Sequence, residues 1–278
     1  MTLHVHRYGE GPRLALAVHG ITATSRAWGE VAAALPREWT LVAPDLRGRG
    51  HSRDLPASTG LHSHVDDLTG LAEQLVAEAG GPISLVGHSM GAFVAVHLAH
   101  ARPDLFTRVV LVDGGVALPV PEGADPDEVL AATLGPALER LSRSYANADD
   151  YLEVFRHHPA FAGLWNPAIE GYVRYDTVEV DGRIRSRAQE ESVRADGRDL
   201  LVSGSSFEPE VRATALPVRI LAAPYGMFGE APGLLPAAGL AAYDDADHVE
   251  VETVPGANHY TILFEPAAAA RVAAAIQG

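Results

Sequence analysis

The chain of 278 residues contains no cysteine and no lysine, so all 21 of its basic side chains are arginines. The absence of cysteine excludes disulfide bonds, thiolate nucleophiles and cysteine-based metal sites. The absence of lysine excludes a phosphate-binding loop of the Walker type, which requires one. Acidic side chains number 36 and give a formal net charge of −15. This charge argues against nucleic acid or an anionic membrane surface as a partner.

Long hydrophobic segments are missing as well. Apolar runs such as Ala267–Ala270 are far shorter than the roughly 20 residues that a membrane-spanning helix needs. The N-terminal residues MTLHVHRYGEGP lack the basic start and the apolar core of a signal peptide. These features predict a cytoplasmic protein without a membrane partner. They do not predict its oligomeric state.

Short apolar segments alternate with helical patterns along most of the chain. Six segments rich in Val, Ile and Leu predict buried strands: Leu14–Val18, Leu41–Ala43, Ile83–Val86, Val109–Val112, Val218–Ala222 and Val249–Val254. Apolar residues at a period close to 3.6 predict helices over Ser63–Ala79, Met90–Ala101 and Ala267–Ile276. Strands that alternate with helices in this way indicate an α/β fold with a mostly parallel, doubly wound sheet.

One region interrupts the alternation. Residues 117–212 show helical patterns over Asp127–Tyr145 and Asp149–His157, and Val173–Val180 is the only strand predicted there. The strand rhythm resumes at Val218. We therefore predict one core domain made of residues 1–116 and 213–278, with a mainly helical cap inserted at 117–212.

The segment ISLVGHSMGAF places Ser89 between a predicted strand and a predicted helix. A serine nucleophile must project from a sharp turn, and Gly87 and Gly91 remove the side chains that would clash there. The helix that begins at Met90 offers a free backbone N–H group to a developing oxyanion. This G-x-S-x-G pattern between a strand and a helix is typical of a nucleophile elbow.

Four motifs in order along the chain resemble those of the α/β-hydrolase superfamily. They are His19-Gly20 after the first core strand, the D-x-R-G-x-G-x-S loop Asp45–Ser52 after the second, the GHSMG turn, and GANHY at 256–260 after the last strand. The resemblance covers the whole chain and implies that the loop after His19-Gly20 supplies a second oxyanion donor, the N–H group of Ile21.

Of the 13 histidines, His259 is the candidate base. It follows the serine in chain order and lies in a loop at the carboxyl end of a predicted parallel strand. His88 is predicted to be structural, with its side chain directed away from the partner of the hydroxyl. The other histidines do not supply the three or four converging ligands of a metal site, so no metal is predicted.

The acid that should orient His259 is not at the position that the family usually uses. Tyr225 and Gly226 occupy that part of the loop after Val218–Ala222, and neither can be an acid. Two replacements remain: Asp113, at the end of Val109–Val112, and Glu230, further along the usual loop. We prefer Asp113 because a strand end is held more rigidly than a loop.

Together these residues predict a serine hydrolase that needs no cofactor and cleaves a small or medium ester, lactone or thioester through an acyl-enzyme. Carbon–carbon bond hydrolysis and perhydrolysis use the same triad, and a non-catalytic ligand-binding protein of this fold is a further alternative. The substrate is predicted to be a small molecule. Its candidate contacts are Phe155 and Trp165 in the cap, with Tyr225 and Phe228 in the loop near the site.

Overall fold

The computed structural model describes residues 2–121 and 123–278, and a seven-stranded sheet lies at its centre. In the described residues the strands are β1 (Val5–Tyr8), β2 (Arg13–Val18), β3 (Trp39–Pro44), β4 (Ile83–His88), β5 (Phe106–Val112), β6 (Thr177–Val180), β7 (Arg183–Ser186), β8 (Val218–Ala222) and β9 (Val249–Thr253). The sheet has the order β1-β3-β2-β4-β5-β8-β9, and only β1 runs antiparallel to its neighbour. The predicted α/β fold with a mostly parallel sheet is confirmed.

Helices cover both faces of this sheet. In the described residues the helices, including those that do not pack on the sheet, are α1 (Gly29–Ala33), α2 (Leu61–Ala79), α3 (Met90–Ala101), α4 (Pro126–Ser142), α5 (Ala148–Arg156), α6 (Pro167–Tyr175), α7 (Glu190–Val202), α8 (Gly204–Ala213), α9 (Ala237–Ala241), α10 (Thr261–Phe264) and α11 (Pro266–Gln277). Successive residues of a strand point to opposite faces, so Leu85 packs into one hydrophobic cluster and Val86 into the other. Burial on both faces explains why the inner strands read as continuous apolar runs.

The structure corrects two parts of the strand prediction. The sequence pattern missed β1, an edge strand whose residues are only partly buried and polar in part. It also predicted a strand over Val173–Val180, whereas helix α6 continues to Tyr175 and only Thr177–Val180 is extended. Ile169, Tyr172 and Val173 share one buried helical face, so their spacing fits a helix better than a strand.

Helices α4–α8 and the β6–β7 hairpin all lie in the chain between β5 and β8. Helix α4 ends three residues before the predicted boundary, because Tyr145 pairs with Ile184 of the hairpin instead. Among the described residues, none of the helices combines the length and the apolar character that crossing a bilayer requires.

Candidate active site

Ser89 lies at the tip of the turn between β4 and α3, with φ of 54° and ψ of −128°. Such a backbone conformation costs about 1–3 kcal/mol in a residue with a side chain, so the surrounding structure must hold it. A Cβ atom on Gly87 would lie 2.2 Å from the carbonyl oxygen of Gly91, and one on Gly91 would lie 2.1 Å from that of Val18. The predicted need for glycine at both positions is confirmed.

Three side chains meet beside this turn. The Nε2 atom of His259 lies 3.0 Å from Oγ of Ser89, and its Nδ1 atom lies 2.7 Å from Oδ2 of Asp113. An ionised carboxylate only accepts hydrogen bonds, so Nδ1 carries the proton and donates it to Asp113. Nε2 then has a free lone pair, which accepts the hydrogen bond of the Ser89 hydroxyl. Such a pair can pass a proton from the hydroxyl to the imidazole.

The two candidate acids lie in different surroundings. Asp113 is fully buried directly after β5, and its Oδ1 atom accepts a hydrogen bond of 2.9 Å from the N–H group of Ala223. Glu230 is exposed, and its carboxylate accepts a hydrogen bond from the N–H group of Phe228 in its own loop. The structure thus places Asp113, and not Glu230, at the imidazole of His259.

The loop that carries His259 is fixed on both sides of the histidine. The Oδ1 atom of Asn258 accepts hydrogen bonds from the N–H groups of Tyr260 and Thr261. The Nε2–H group of His88 donates a hydrogen bond of 2.8 Å to the carbonyl oxygen of His259, with the two rings 4.9 Å apart. The prediction that His88 points away is therefore wrong. Burial lowers the pKa of His88 to about 3, so this ring stays neutral.

The loop after β2 runs beside the hydroxyl of Ser89, and a Cβ atom on Gly20 would lie 3.5 Å from Oγ. The N–H group of Ile21 in this loop has no acceptor among the described residues. Met90 is the first residue of α3, so its N–H group has no intrahelical acceptor. His19 holds the loop, because its Nδ1–H group donates to the carbonyl oxygen of Gly20 at 2.8 Å.

Behind this loop lies a buried ion pair that the sequence did not reveal. Arg49 donates from Nε to the carbonyl oxygen of Ile21 at 3.0 Å, and its Nη1 atom lies 2.6 Å from Oδ2 of Asp196 in α7. Burial alone would raise the pKa of Asp196, but Arg49 and hydrogen bonds from His64 and Ser58 lower it to about 2. The pair therefore connects α7 to the loop of Ile21.

A cavity of about 250 Å³ opens over Ser89 and His259. The sheet side contributes Gly20, Ile21, His88 and Met90, and the region between β5 and β8 contributes apolar side chains that include Leu118, Val129, Leu130, Leu134, Leu200 and Leu201. No described residue that lines this cavity carries a charged side chain. The space beside the hydroxyl is therefore uncharged and mainly apolar.

A second cavity of about 80 Å³ adjoins the first and shares the wall residues Thr22, Tyr172 and Tyr260 with it. Phe155 and Phe228, two of the predicted substrate contacts, line this second cavity. Trp165 and Tyr225 line neither of the two cavities. The Trp165 ring packs under the guanidinium of Arg156, and Tyr225 pairs through its backbone with Asn258. Their positions do not support the predicted contact with substrate.

The structure also bears on metal binding. Within the described residues, no group of three or more histidine, aspartate or glutamate side chains is arranged to hold a metal ion.

Comparisons with known proteins show similarity over almost the whole length of the chain. A family model described as Alpha/beta hydrolase family matches residues 15–275. The 2-(acetamidomethylene)succinate hydrolase of Mesorhizobium japonicum is 32% identical over 268 residues, which cover 96% of this chain and 88% of that protein. Lipase LipV of Mycobacterium tuberculosis is 42% identical over 133 residues, which cover 48% of each chain.

Among solved structures, that of an E-2-(acetamidomethylene)succinate hydrolase superposes with a TM-score of 0.79 at 26% identity, covering 99% of this chain and 94% of the other. The chain therefore belongs to the alpha/beta hydrolase family, and it is an enzyme of that family.

Proposed function

We propose that the protein is a serine hydrolase that cleaves an uncharged ester, lactone or thioester through an acyl-enzyme. The observation that carries this proposal is the unbroken chain of contacts from Oγ of Ser89 through the imidazole of His259 to the carboxylate of Asp113, at 3.0 and 2.7 Å. No other acid among the described residues lies within hydrogen-bond distance of that imidazole.

In the proposed reaction, Oγ of Ser89 attacks the carbonyl carbon while Nε2 of His259 takes the hydroxyl proton. The N–H groups of Met90 and Ile21 bind the oxygen of the tetrahedral intermediate. His259 returns the proton to the leaving group, which departs and leaves the acyl group on Ser89. A water molecule, activated by the same imidazole, then releases the acid. Asp113 stabilises the imidazolium in both steps and keeps its proton on Nδ1.

The apolar cavity supports an apolar, uncharged group next to the scissile bond. An ionised carboxylate in that space would lose its hydration without gaining a charged partner, which is strongly unfavourable. The name of the Mesorhizobium relative indicates a succinate derivative, which carries carboxylates. We therefore propose a different substrate for this chain, with an aliphatic acyl group beside Ser89.

We also propose that residues 117–212 form a cap over the core domain of residues 1–116 and 213–278. Support comes from the cavity, whose wall opposite Ser89 consists of side chains from α4 and α7 such as Leu130, Leu134 and Leu201. In this arrangement the core carries the reaction, and the cap selects the acyl group. The cap also excludes water from the aliphatic part of the acyl group, since the cap side chains there are apolar.

A fluorophosphonate probe tests the mechanism directly, because it reacts preferentially with an activated serine. We expect labelling of the wild-type protein at Ser89, no labelling after Ser89→Ala, and strong loss after His259→Ala. His157→Ala is the matched control, since that histidine is exposed and should leave labelling intact. A protein that binds ligands without catalysis would show no labelling in any form, which would contradict the proposal.

A panel of p-nitrophenyl esters of increasing acyl length, with lactones and thioesters alongside, tests the substrate class. We expect the ratio kcat/KM to rise with the length of an unbranched acyl chain until the cavity is full. Hydrolysis confined to esters with a carboxylate on a short acyl chain would contradict the apolar site.

A further inference from the structure

The second cavity differs from the first in the chemistry of its walls. Arg140 of α4 and His158 line the second cavity, together with Tyr172 and Tyr260, which it shares with the first. Its volume of about 80 Å³ is the space of roughly two or three water molecules at about 30 Å³ each. The second cavity can therefore hold a small polar group but not a second large ligand.

The guanidinium of Arg140 has N–H groups that lack an acceptor among the described residues. Its Nη1 atom donates to the hydroxyl of Tyr151 and lies 3.3 Å from Oδ2 of Asp176. The Nε–H and Nη2–H groups donate to no described residue. The Nε and Nη2 atoms are not completely enclosed by protein, so they border accessible space. Arg140 is 9% exposed, and the second cavity is the space that it lines.

A second donor faces the same space. The Nδ1 atom of His158 accepts the N–H group of Ala160, which places the ring proton on Nε2. That Nε2–H group donates to no described residue. The hydroxyls of Tyr172 and Tyr260, two further residues that line this cavity, likewise donate to no described residue. The second cavity therefore gathers hydrogen-bond donors that lack an acceptor.

The charge of Arg140 is already balanced. Asp176 is buried behind it and accepts hydrogen bonds from Tyr151 and from the hydroxyl of Ser186. A carboxylate in the second cavity would be a second anion beside a single guanidinium, and burying that excess charge is costly. An uncharged oxygen acceptor satisfies the free N–H groups without adding charge.

We propose that the second cavity is a subsite for an uncharged carbonyl oxygen at the far end of the substrate, with Arg140 and His158 as its donors. This inference rests on the proposed function, because it specifies where the end of the acyl chain lies. The substrate class becomes an ester or thioester whose aliphatic acyl chain carries a ketone, amide or second ester group away from the scissile bond.

Binding to the Ser89→Ala protein tests the subsite without requiring hydrolysis. The ligands are p-nitrophenyl esters of increasing acyl length whose chains end in a methyl ketone, in the isosteric isopropyl group, or in a carboxylate. We expect calorimetry to show that at one chain length the ketone binds about tenfold or more tightly than the isopropyl ligand. Arg140→Lys, which keeps a cation beside Asp176 but removes the Nε–H and Nη2–H groups that reach the cavity, should reduce that preference to about threefold or less.

Arg143→Lys is the matched control, because Arg143 follows the same helix and pairs with exposed Glu139. It should keep the wild-type preference. If Arg140→Lys does not fold, His158→Phe replaces it, since the phenyl ring can still stack on Phe228 while the donor is lost.

Equal binding of ketone and isopropyl ligands at every length would overturn the subsite. A preference for the carboxylate over the ketone, or a ketone preference that survives in the variants, would overturn it as well. Binding is measured on the Ser89→Ala protein, so it does not depend on hydrolysis. A wild-type protein that hydrolyses no ester would refute the proposed function, whereas the preference for the ketone ligand would still support the subsite.

Discussion

The carboxyl edge of the sheet and the region between β5 and β8 form opposite walls of one cavity, and they are built differently. At the sheet edge, polar groups sit on strained backbone: Ser89 and Asp113 both have positive φ, at 54° and 46°. The opposite wall is made of helices that present leucines such as Leu130 and Leu134. Its charged groups lie further away, since Arg140 lines the second cavity and Asp176 is buried behind Arg140.

The difference shows which wall holds the reacting side chains in fixed positions. Parallel strands hydrogen-bonded on both sides can hold a residue in an unfavourable conformation, whereas a helix packed by apolar side chains tolerates changes of shape. Substitutions at the sheet edge should therefore change the rate of reaction. Substitutions in the opposite wall should change which substrate reacts.

The largest effect is expected at Asp113, the proposed acid of the triad. Asp113→Asn keeps the shape of the site but no longer fixes the proton on Nδ1 of His259, so kcat should fall about 10⁴-fold. Glu230→Gln is the matched control, and steady-state ester hydrolysis should show nearly unchanged kcat. Full activity in Asp113→Asn together with loss in Glu230→Gln would reverse the assignment of the acid.

The next effect is expected where the two walls join. Asp196→Asn leaves Arg49 as an unpaired buried charge, which should lower the free energy of unfolding by about 3–5 kcal/mol. Because Arg49 also supports the carbonyl of Ile21, kcat should fall about tenfold with a smaller change in KM. Urea unfolding and steady-state kinetics measure the two effects. Glu191→Gln, a change at an exposed position of the same helix, is the control. Equal stability of the two variants would show that the Arg49–Asp196 ion pair does not stabilise the fold.

Buried histidines at the sheet edge predict a pH dependence of stability. Burial lowers the pKa of His88 to about 3 and that of His19 to about 4, below the usual 6.5. Just below pH 6.5 these two histidines bind protons in the unfolded chain but not in the folded protein. The free energy of unfolding is therefore highest above that pH and falls as the pH falls toward 4.

The limiting slope is about 1.4 kcal/mol per pH unit for each histidine. Urea unfolding at a series of pH values measures it. His88→Asn should reduce the slope, and a stability that stays level down to pH 4 would disprove the neutral state of these rings.

The smallest effect is expected in the helical wall. Ala137 of α4 borders both cavities, so Ala137→Leu should narrow the space between them. We expect kcat/KM to fall about tenfold for long acyl chains and to change little for acetyl esters. Ala132→Leu, at an exposed position of the same helix, should leave the profile unchanged. A loss of equal size for acetyl esters would mean that the helical wall acts on the reaction itself.

Much of the site could be predicted from the sequence because its signals are local. The turn at Ser89 needs glycines two residues away on either side, and the strand before it and the helix after it are readable in the same stretch. The loop of His259 is likewise marked by its place after the last strand. The aromatic contacts are predicted less well, because residue type and a place in the cap or in the loop near the site do not specify where the side chains of Trp165 and Tyr225 point.

The sequence by itself predicted the strand segments of the sheet, the nucleophile turn and the candidate histidine, since each of these signals comes from residues close together in the chain. Only the tertiary structure placed Asp113, and not Glu230, beside the imidazole of His259, which lies 146 positions later in the chain. It also decided that Arg49 meets Asp196 and that Arg140 meets Asp176. Such pairings depend on how elements that are distant in the chain pack together, and no local pattern of residues encodes that packing.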